Sequence, residues 1–445
     1  MSVLGDLRTV AVHRGFRRLF AVRLVSQTGD GMFQVGLATL FFFAPERMAT
    51  AADVAAAFAV LLLPFTVVGP WAGVLLDRWR RRQVLLVGNA VRVLLTGVLA
   101  ALLVTVGVGP AVYVLALVTL SINRFLLSAL SAGLPRVVPR DQLLMANAIT
   151  PTLGAAAAGV GGLLGFVGRL APTGAARDAV VLAGAAVLFA TASALALRLG
   201  ADQLGPTHRA PAGELWEKVR AVGRGLGQGA RYLVRRRTPA MALAVMATHR
   251  FIFGVTFIAA ILLSRNLLAD PADADAGLAM FGTVLGATGV GFGLAVVLTP
   301  LAHERMRPST WVVVCLGIGA ASQVLLATSP ALPVVLASGV LLGLAAQGAK
   351  IAVDTIVQRD THDDFRGRAF ALYDVLYNAA FVGAAALAAV VLPDTGWSPA
   401  AFAGLAIAYV VAGLLYRTGP SEPRHLDDVP DPADDVDASP RPTAR

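Results

Sequence analysis

Residues 69–82 read GPWAGVLLDRWRRR. An apolar run ends in two glycines, Gly69 and Gly73, followed by a carboxylate at Asp77 and then by Arg78, Arg80, Arg81 and Arg82. This is how a membrane helix meets the cytoplasm: small residues admit a close neighbour, and clustered arginines hold a loop on the cytoplasmic side. A lone carboxylate there needs a cation or a helix N-terminus as partner. An ordinary basic loop after a hydrophobic helix would explain the arginines alone; it would not explain the spacing G-x-x-x-D-R-x-x-R-R.

The rest of the chain has the composition this reading requires. Its 445 residues are 57% hydrophobic and only 14% charged, with a mean hydropathy of +0.71, well outside the range of soluble globular domains. Apolar stretches long enough to cross a bilayer recur almost end to end, and the period-2 alternation of an outer-membrane barrel is absent. Twelve spans are expected, at 18–43, 51–76, 84–106, 110–134, 143–168, 178–199, 240–264, 277–301, 311–328, 333–357, 368–392 and 399–417.

The net charge of +10 does not indicate nucleic acid, because 28 of the 37 Lys and Arg fall in the loops and ends on one side of these spans and four on the other. That bias puts both termini in the cytoplasm of a multi-pass inner-membrane protein. No cleavable signal peptide is expected at the N-terminus. The single cysteine, Cys315, excludes an intramolecular disulfide and reads as a small buried hydrophobe.

The longest inner loop divides the chain into a six-helix bundle at 1–199, a central segment at 200–239, a second bundle at 240–417 and a tail at 418–445. In the central segment Leu215, Val219, Val222, Leu226, Ala230 and Leu233 recur at helical spacing beside Lys218, Arg220, Arg224 and Arg231, which predicts an amphipathic helix at the membrane surface. Gly223, Gly225, Gly227 and Gly229 each weaken it by about 1 kcal/mol relative to Ala, so partial fraying is expected. The tail, rich in Pro and Asp, cannot bury a core and is expected to be disordered. GLPRVVPRDQLLMANAI after span 4 and DTIVQRDTHDDFRGRAFAL after span 10 echo one another, as duplicated bundles do.

Ionisable groups within spans mark pathways or partners. Asp30 is twelve residues from Arg18, about 18 Å deep at ~1.5 Å per residue, near the bilayer midplane. Two readings stand: a group that loads and unloads a proton, or a carboxylate permanently paired with an arginine. Arg124, beside Asn123 and Ser121, is the expected partner of Asp30 or of an anionic part of a substrate. Arg250 has the same place in span 7, and His249 beside it adds a group that titrates near neutral pH; about 100° separates adjacent helix residues, so only one of the two is expected to line a cavity. Lys350 and Asp354 share a face and read as a structural ion pair. Asp374 and Asn378 share a face of span 11, beside Tyr373 and Tyr377. Arg23 and Arg92 are expected to snorkel to phosphates. The run GLAAQGAK at 343–350 is only a near miss for a phosphate loop, and neither ATP site, cofactor, metal nor catalytic residue is read anywhere.

The motif at 69–82 resembles the signature loop between helices 2 and 3 of the major facilitator superfamily, with Arg80 where the family has Gly. FRRLFAVRLVSQTGDGMF, GLPRVVPRDQLLMANAI and TIVQRDTHDDFRGRAFALYDVLYNAAFV resemble the branch containing macrolide-efflux and enterobactin-exporter permeases. GAAAAGVGGLLGFVG at 154–168 is similar to a worn form of the family's antiporter motif, with Val160 near the place of its proline. The resemblance implies an all-α membrane protein whose twelve transmembrane helices form two pseudo-symmetric six-helix bundles.

It further implies a gating latch in which Asp77 meets the helix end near Arg366 to Ala369 and Arg81 meets an acid such as Asp141, with Gly69, Gly73, Arg78 and Arg82 in the same motif. The expected function is a proton-coupled exporter of small amphipathic compounds, drug-like or siderophore-like, working as a monomer in the lipid bilayer by alternating access. An importer or facilitator, or a non-transporting sensor or scaffold, are the alternatives. Replacing Asp77 is expected to shift the inward/outward equilibrium, read as cysteine accessibility on the two faces; an unaltered pattern removes the latch.

Overall fold

A computed structural model of the chain describes residues 10–38, 50–52, 54, 79–107, 109–139, 142–168, 176–205, 215–361 and 363–419. Gly69, Gly73, Asp77, Arg78 and Asp141 lie outside these residues, as do all but three residues of the span expected at 51–76 and the segment after Gly419.

The described residues are all-α. The helices are α1 (Arg14–Ala38), α2 (Arg81–Thr105), α3 (Pro110–Gly133), α4 (Leu143–Gly168), α5 (Ala176–Ala196), α6 (Leu215–Arg235), α7 (Arg237–Asn266), α8 (Ala274–His303), α9 (Pro308–Thr328), α10 (Leu332–Asp360), α11 (Asp363–Val391) and α12 (Pro399–Arg417). All but α6 correspond to expected spans. Starts are set by local chemistry: proline stands in the first turn of α3, α9 and α12, and Asp273 caps α8 by accepting from the Asp275 and Ala276 amides.

Ten of the twelve described helices are long and apolar enough to cross a membrane; α1 and α6 are not. The reason for α1 is its inner face, where Arg23, Ser26 and Asp30 are buried. In α2 the same arrangement appears as an inverted amphipathic pattern. Leu85, Asn89, Arg92, Thr96, Leu99 and Leu103 form a buried stripe at helical spacing, polar at its centre, while Val87, Leu94 and Val98 are exposed. In water the polar side would face out; here the outer face suits hydrocarbon.

The chain divides into two compact units, one of Met1–Met48 and Ala57–Val222, the other of Ala49–Ala56 and Gly223–Arg445. In the first, α1 packs on α4 and α5, and α2 on α3 and α5. In the second, α7 packs on α11 and α12, and α9 on α10 and α12. Counted as expected spans, these are the same pairings displaced by six, which is the pseudo-symmetry of a duplicated bundle.

The sequence predicts fraying in α6, yet it is one unbroken helix of 21 residues. Its C-terminal half is docked: Gly229 is buried against α11, where an added Cβ would stand 2.9 Å from the Arg368 Cβ. Tertiary packing thus supplies what intrinsic propensity withholds.

Among the described residues of the first unit, the tightest helix contact is between α1 and α4. A Cβ at Gly31 would collide with the Ala158 carbonyl, and one at Gly161 with the Thr28 carbonyl. Gly159, on the same helix, has open space around it. Gly31→Ala and Gly161→Ala are therefore each expected to cost about 1–3 kcal/mol through overpacking, seen as a lowered melting temperature in detergent, whereas Gly159→Ala, which meets open space, does not lower it.

Candidate functional site

The first unit buries a polar chain contributed by three helices. Asp30 of α1 is 4% exposed and Arg92 of α2 is fully buried; the Arg92 Nη2 donates to the Asp30 Oδ1. The Arg92 Nη1 donates to the Ser26 hydroxyl at 3.3 Å, and that hydroxyl donates to the Asn89 Oδ1 at 3.1 Å. The Asn89 amide in turn donates to the Leu85 carbonyl at 2.9 Å. On its other side the Arg92 guanidinium lies 3.6 Å from the centre of the Phe189 ring of α5, a cation–π contact in a desolvated setting.

The pair is incompletely satisfied. Among the described residues no group hydrogen-bonds the buried Asp30 Oδ2, although the Asn123 amide approaches from α3. A buried acceptor left open costs about 1–3 kcal/mol, so this atom is a ready receptor for a proton or for a donor group of a ligand.

This geometry corrects three expectations. Asp30 pairs with Arg92, not with Arg124, because α3 reaches the cluster through Asn123, while Arg124 is half-buried beside it. Arg92 does not snorkel, because its partners lie inward. Arg23 does not snorkel either: it is 7% exposed and its Nε donates to Gln27 at 3.1 Å. The signal that could have found Arg92 is depth, since it stands ten residues from Arg82 as Asp30 stands twelve from Arg18. Depth alone could not choose between Arg92 and Arg124.

In the second unit, α7 sends adjacent side chains to different helices. His249 is buried, with its Nδ1 3.0 Å from the Tyr409 hydroxyl of α12. Arg250 faces α11, its guanidinium 3.8 Å from the centre of the Phe381 ring and 4.2 Å from that of Tyr377. His249 is 1% exposed, its ring set beside those of Phe253 and Tyr409.

Tyr377 meets Tyr373 edge to face at 5.9 Å, and Lys350 of α10 lies 5.7 Å from the Tyr373 ring. Lys350 and Asp354 pair at 2.6 Å. Asp374 is exposed, and the Asn378 amide donates to its backbone carbonyl at 2.8 Å, leaving the two side chains on one face without bonding each other. A second polar group missed in the sequence is fully buried: Thr256 donates to Gln323 at 3.2 Å, next to Ser322 and Ser338, whose hydroxyls are 2.9 Å apart. Such bonds join helices where apolar contact alone gives little specificity.

Of the loop motif, Arg80, Arg81 and Arg82 are described. Arg81 donates to the Leu204 carbonyl at 2.8 Å, Arg82 to the Leu197 carbonyl at 3.3 Å, and Arg80 pairs with Asp202 at 2.9 Å. These arginines tie the start of α2 to the chain leaving α5. Arg80, the departure from the expected glycine, thereby gains its own partner.

Removing one member of the buried pair strands the other. Arg92→Gln is expected to destabilise the protein by about 3–5 kcal/mol, and Asp30→Asn/Arg92→Gln to recover most of that loss in thermal unfolding; additive losses would show that the pair is not coupled.

Residues 242–443 match the Major Facilitator Superfamily. Two proteins described as uncharacterized MFS-type transporters, from Mycobacterium bovis and Mycobacterium tuberculosis, are each 38% identical over 415 residues, 92% of this chain and 92% of theirs. Among solved structures, the nucleoside transporter NupG aligns with a TM-score of 0.61 at 14% identity, over 91% of this chain and 98% of its own. A POT peptide transporter aligns with a TM-score of 0.67 at 13% identity, over 91% and 93%.

Proposed function

The chain belongs to the major facilitator superfamily, as a multi-pass membrane transporter, and from that premise we propose that it is a proton-coupled exporter of small amphipathic compounds with both termini in the cytoplasm. The observation that carries the proposal is the open Oδ2 of Asp30, beside an arginine that already holds Oδ1.

An exporter driven by protons needs substrate and proton to occupy it in turn. Asp30 offers that exclusion. A proton on Oδ2 removes the carboxylate charge and loosens its grip on Arg92; a donor or cationic group of a substrate placed on Oδ2 uses the same atom and excludes the proton. In either case the pair with Arg92 is weakened by a competitor that enters the same buried space.

Arg250 supports an amphipathic cargo. An arginine stays charged at any physiological pH, and this one is bordered by Phe253, Tyr377 and Phe381, so a polar group and an apolar body could be held together there. Asp374, Asn378 and His249 are assigned supporting places near it, and Lys350 with Asp354 a structural one. Gly69, Gly73, Asp77, Arg78, Arg81 and Arg82 are assigned the gating latch on the family resemblance. The cytoplasmic placement of the termini rests on the arginine bias of the loops.

Asp30→Asn strands Arg92 and lowers stability, but it is expected to abolish pH-gradient-driven transport in proteoliposomes tested against a chemically varied substrate panel while substrate counterflow without a gradient persists. Transport that continues to follow the gradient removes Asp30 from coupling. Accumulation in inverted vesicles with an acid lumen, as protons flow outward, is the expected sign of export; accumulation only in right-side-out vesicles would identify an importer.

A further inference from the structure

The exposed face of α6 has no partner among the described residues. At about 100° per residue, Arg224, Arg231 and Arg235 fall within an arc of about 40°, and all three are exposed. Arg237, at the start of α7, is exposed just beyond them. No carboxylate among the described residues pairs with any of the four.

The opposite face is the docked one. Leu233 and Gly229 are buried, and Tyr232 stacks on Phe365 of α11 at 4.1 Å with rings 4° from parallel. Arg236 lies 5.1 Å from the Tyr232 ring and Arg368 4.8 Å from the Phe365 ring, so two cations close the stack at its ends. The stripe is thus displayed on a helix whose orientation is fixed.

The chain itself carries the matching charge. Residues 427–437 read DDVPDPADDVD, with six aspartates and no Lys or Arg. They follow α12, whose exit lies close to the stripe: Gly419 packs against Met241, and Thr238, Met241, Arg417 and Gly419 line one cleft. Thr238 is three residues past Arg235.

Reach is sufficient. The eight residues from Gly419 to Asp427 span up to about 26 Å when extended. The stripe from Arg224 to Arg235 is only about 17 Å long at 1.5 Å per residue, whereas the eleven residues 427–437 can cover about 36 Å. Prolines at 430 and 432 oppose helix and favour an extended run.

We propose that the acidic run 427–437 of this chain lies along the arginine face of α6. Bound there, it neutralises the stripe and ties the end of α12 to a helix already stacked on α11. The attachment is electrostatic and exposed, so salt weakens it, the screening length falling to about 3 Å at 1 M.

The test uses the full chain in nanodiscs of neutral lipid, with spin labels on Gln228→Cys and Ala433→Cys. Pulsed EPR is expected to show a short-distance population that is lost in 1 M salt. It is also lost when Asp427, Asp428, Asp431, Asp434, Asp435 and Asp437 are changed to Asn, and in Arg224→Gln/Arg231→Gln/Arg235→Gln. A distance distribution unchanged by the aspartate substitutions overturns the proposal. So does the absence of any short distance in neutral discs, combined with shielding of the Gln228→Cys label on adding anionic phospholipid; the stripe would then serve a lipid surface.

Discussion

The ion pair between Asp30 and Arg92 is the constraint to which the rest of the first unit conforms. Two charges taken out of water keep their ionised forms only if each meets the other and the remaining polar atoms find partners. Ser26 and Asn89 meet that demand along the helix axes, and the face of Phe189 covers the guanidinium from the side. Such a cluster needs short, fixed distances between helices. The close approach of α1 to α4 and the seating of α2 on α5 provide the rigid frame.

The second unit handles its buried arginine differently. Arg250 has aromatic faces around it where Arg92 has a carboxylate. Ring faces lower the cost of burying the cation without cancelling its charge. The duplicated bundles therefore carry unlike electrostatics: one buries an ion pair, the other an arginine set among aromatic rings. The polar cluster of Thr256, Gln323, Ser322 and Ser338 lies apart from it and joins α7, α9 and α10.

How much of this was legible in the sequence depended on which physical rule applied. Spans obey one rule, the thickness of the bilayer, and α4 runs over the 143–168 expected for it. Depth obeys the same rule, so Asp30 and its candidate partners could be found. Which arginine meets Asp30 depends on helix neighbours and on rotation about each axis, and one sequence does not encode these in any local pattern. Arg124 differs from Asn123 by about 100° on the same helix, and that step decides which side chain approaches the carboxylate. Four glycines likewise argued against α6, because the contact of Gly229 with α11 joins residues more than a hundred positions apart.

The polarity of α1 also bears on how the protein is made. Among the described helices assigned to the membrane, α1 alone is not apolar enough to qualify as a span, and a central aspartate costs about 2.5–3.5 kcal/mol when a helix enters the bilayer by itself. Its compensating cation is 62 residues further along the chain, in α2. A helix of this polarity is therefore less costly in lipid once α2 lies beside it. The ion pair between Asp30 and Arg92 thus links the cost of burying α1 in lipid to the presence of α2.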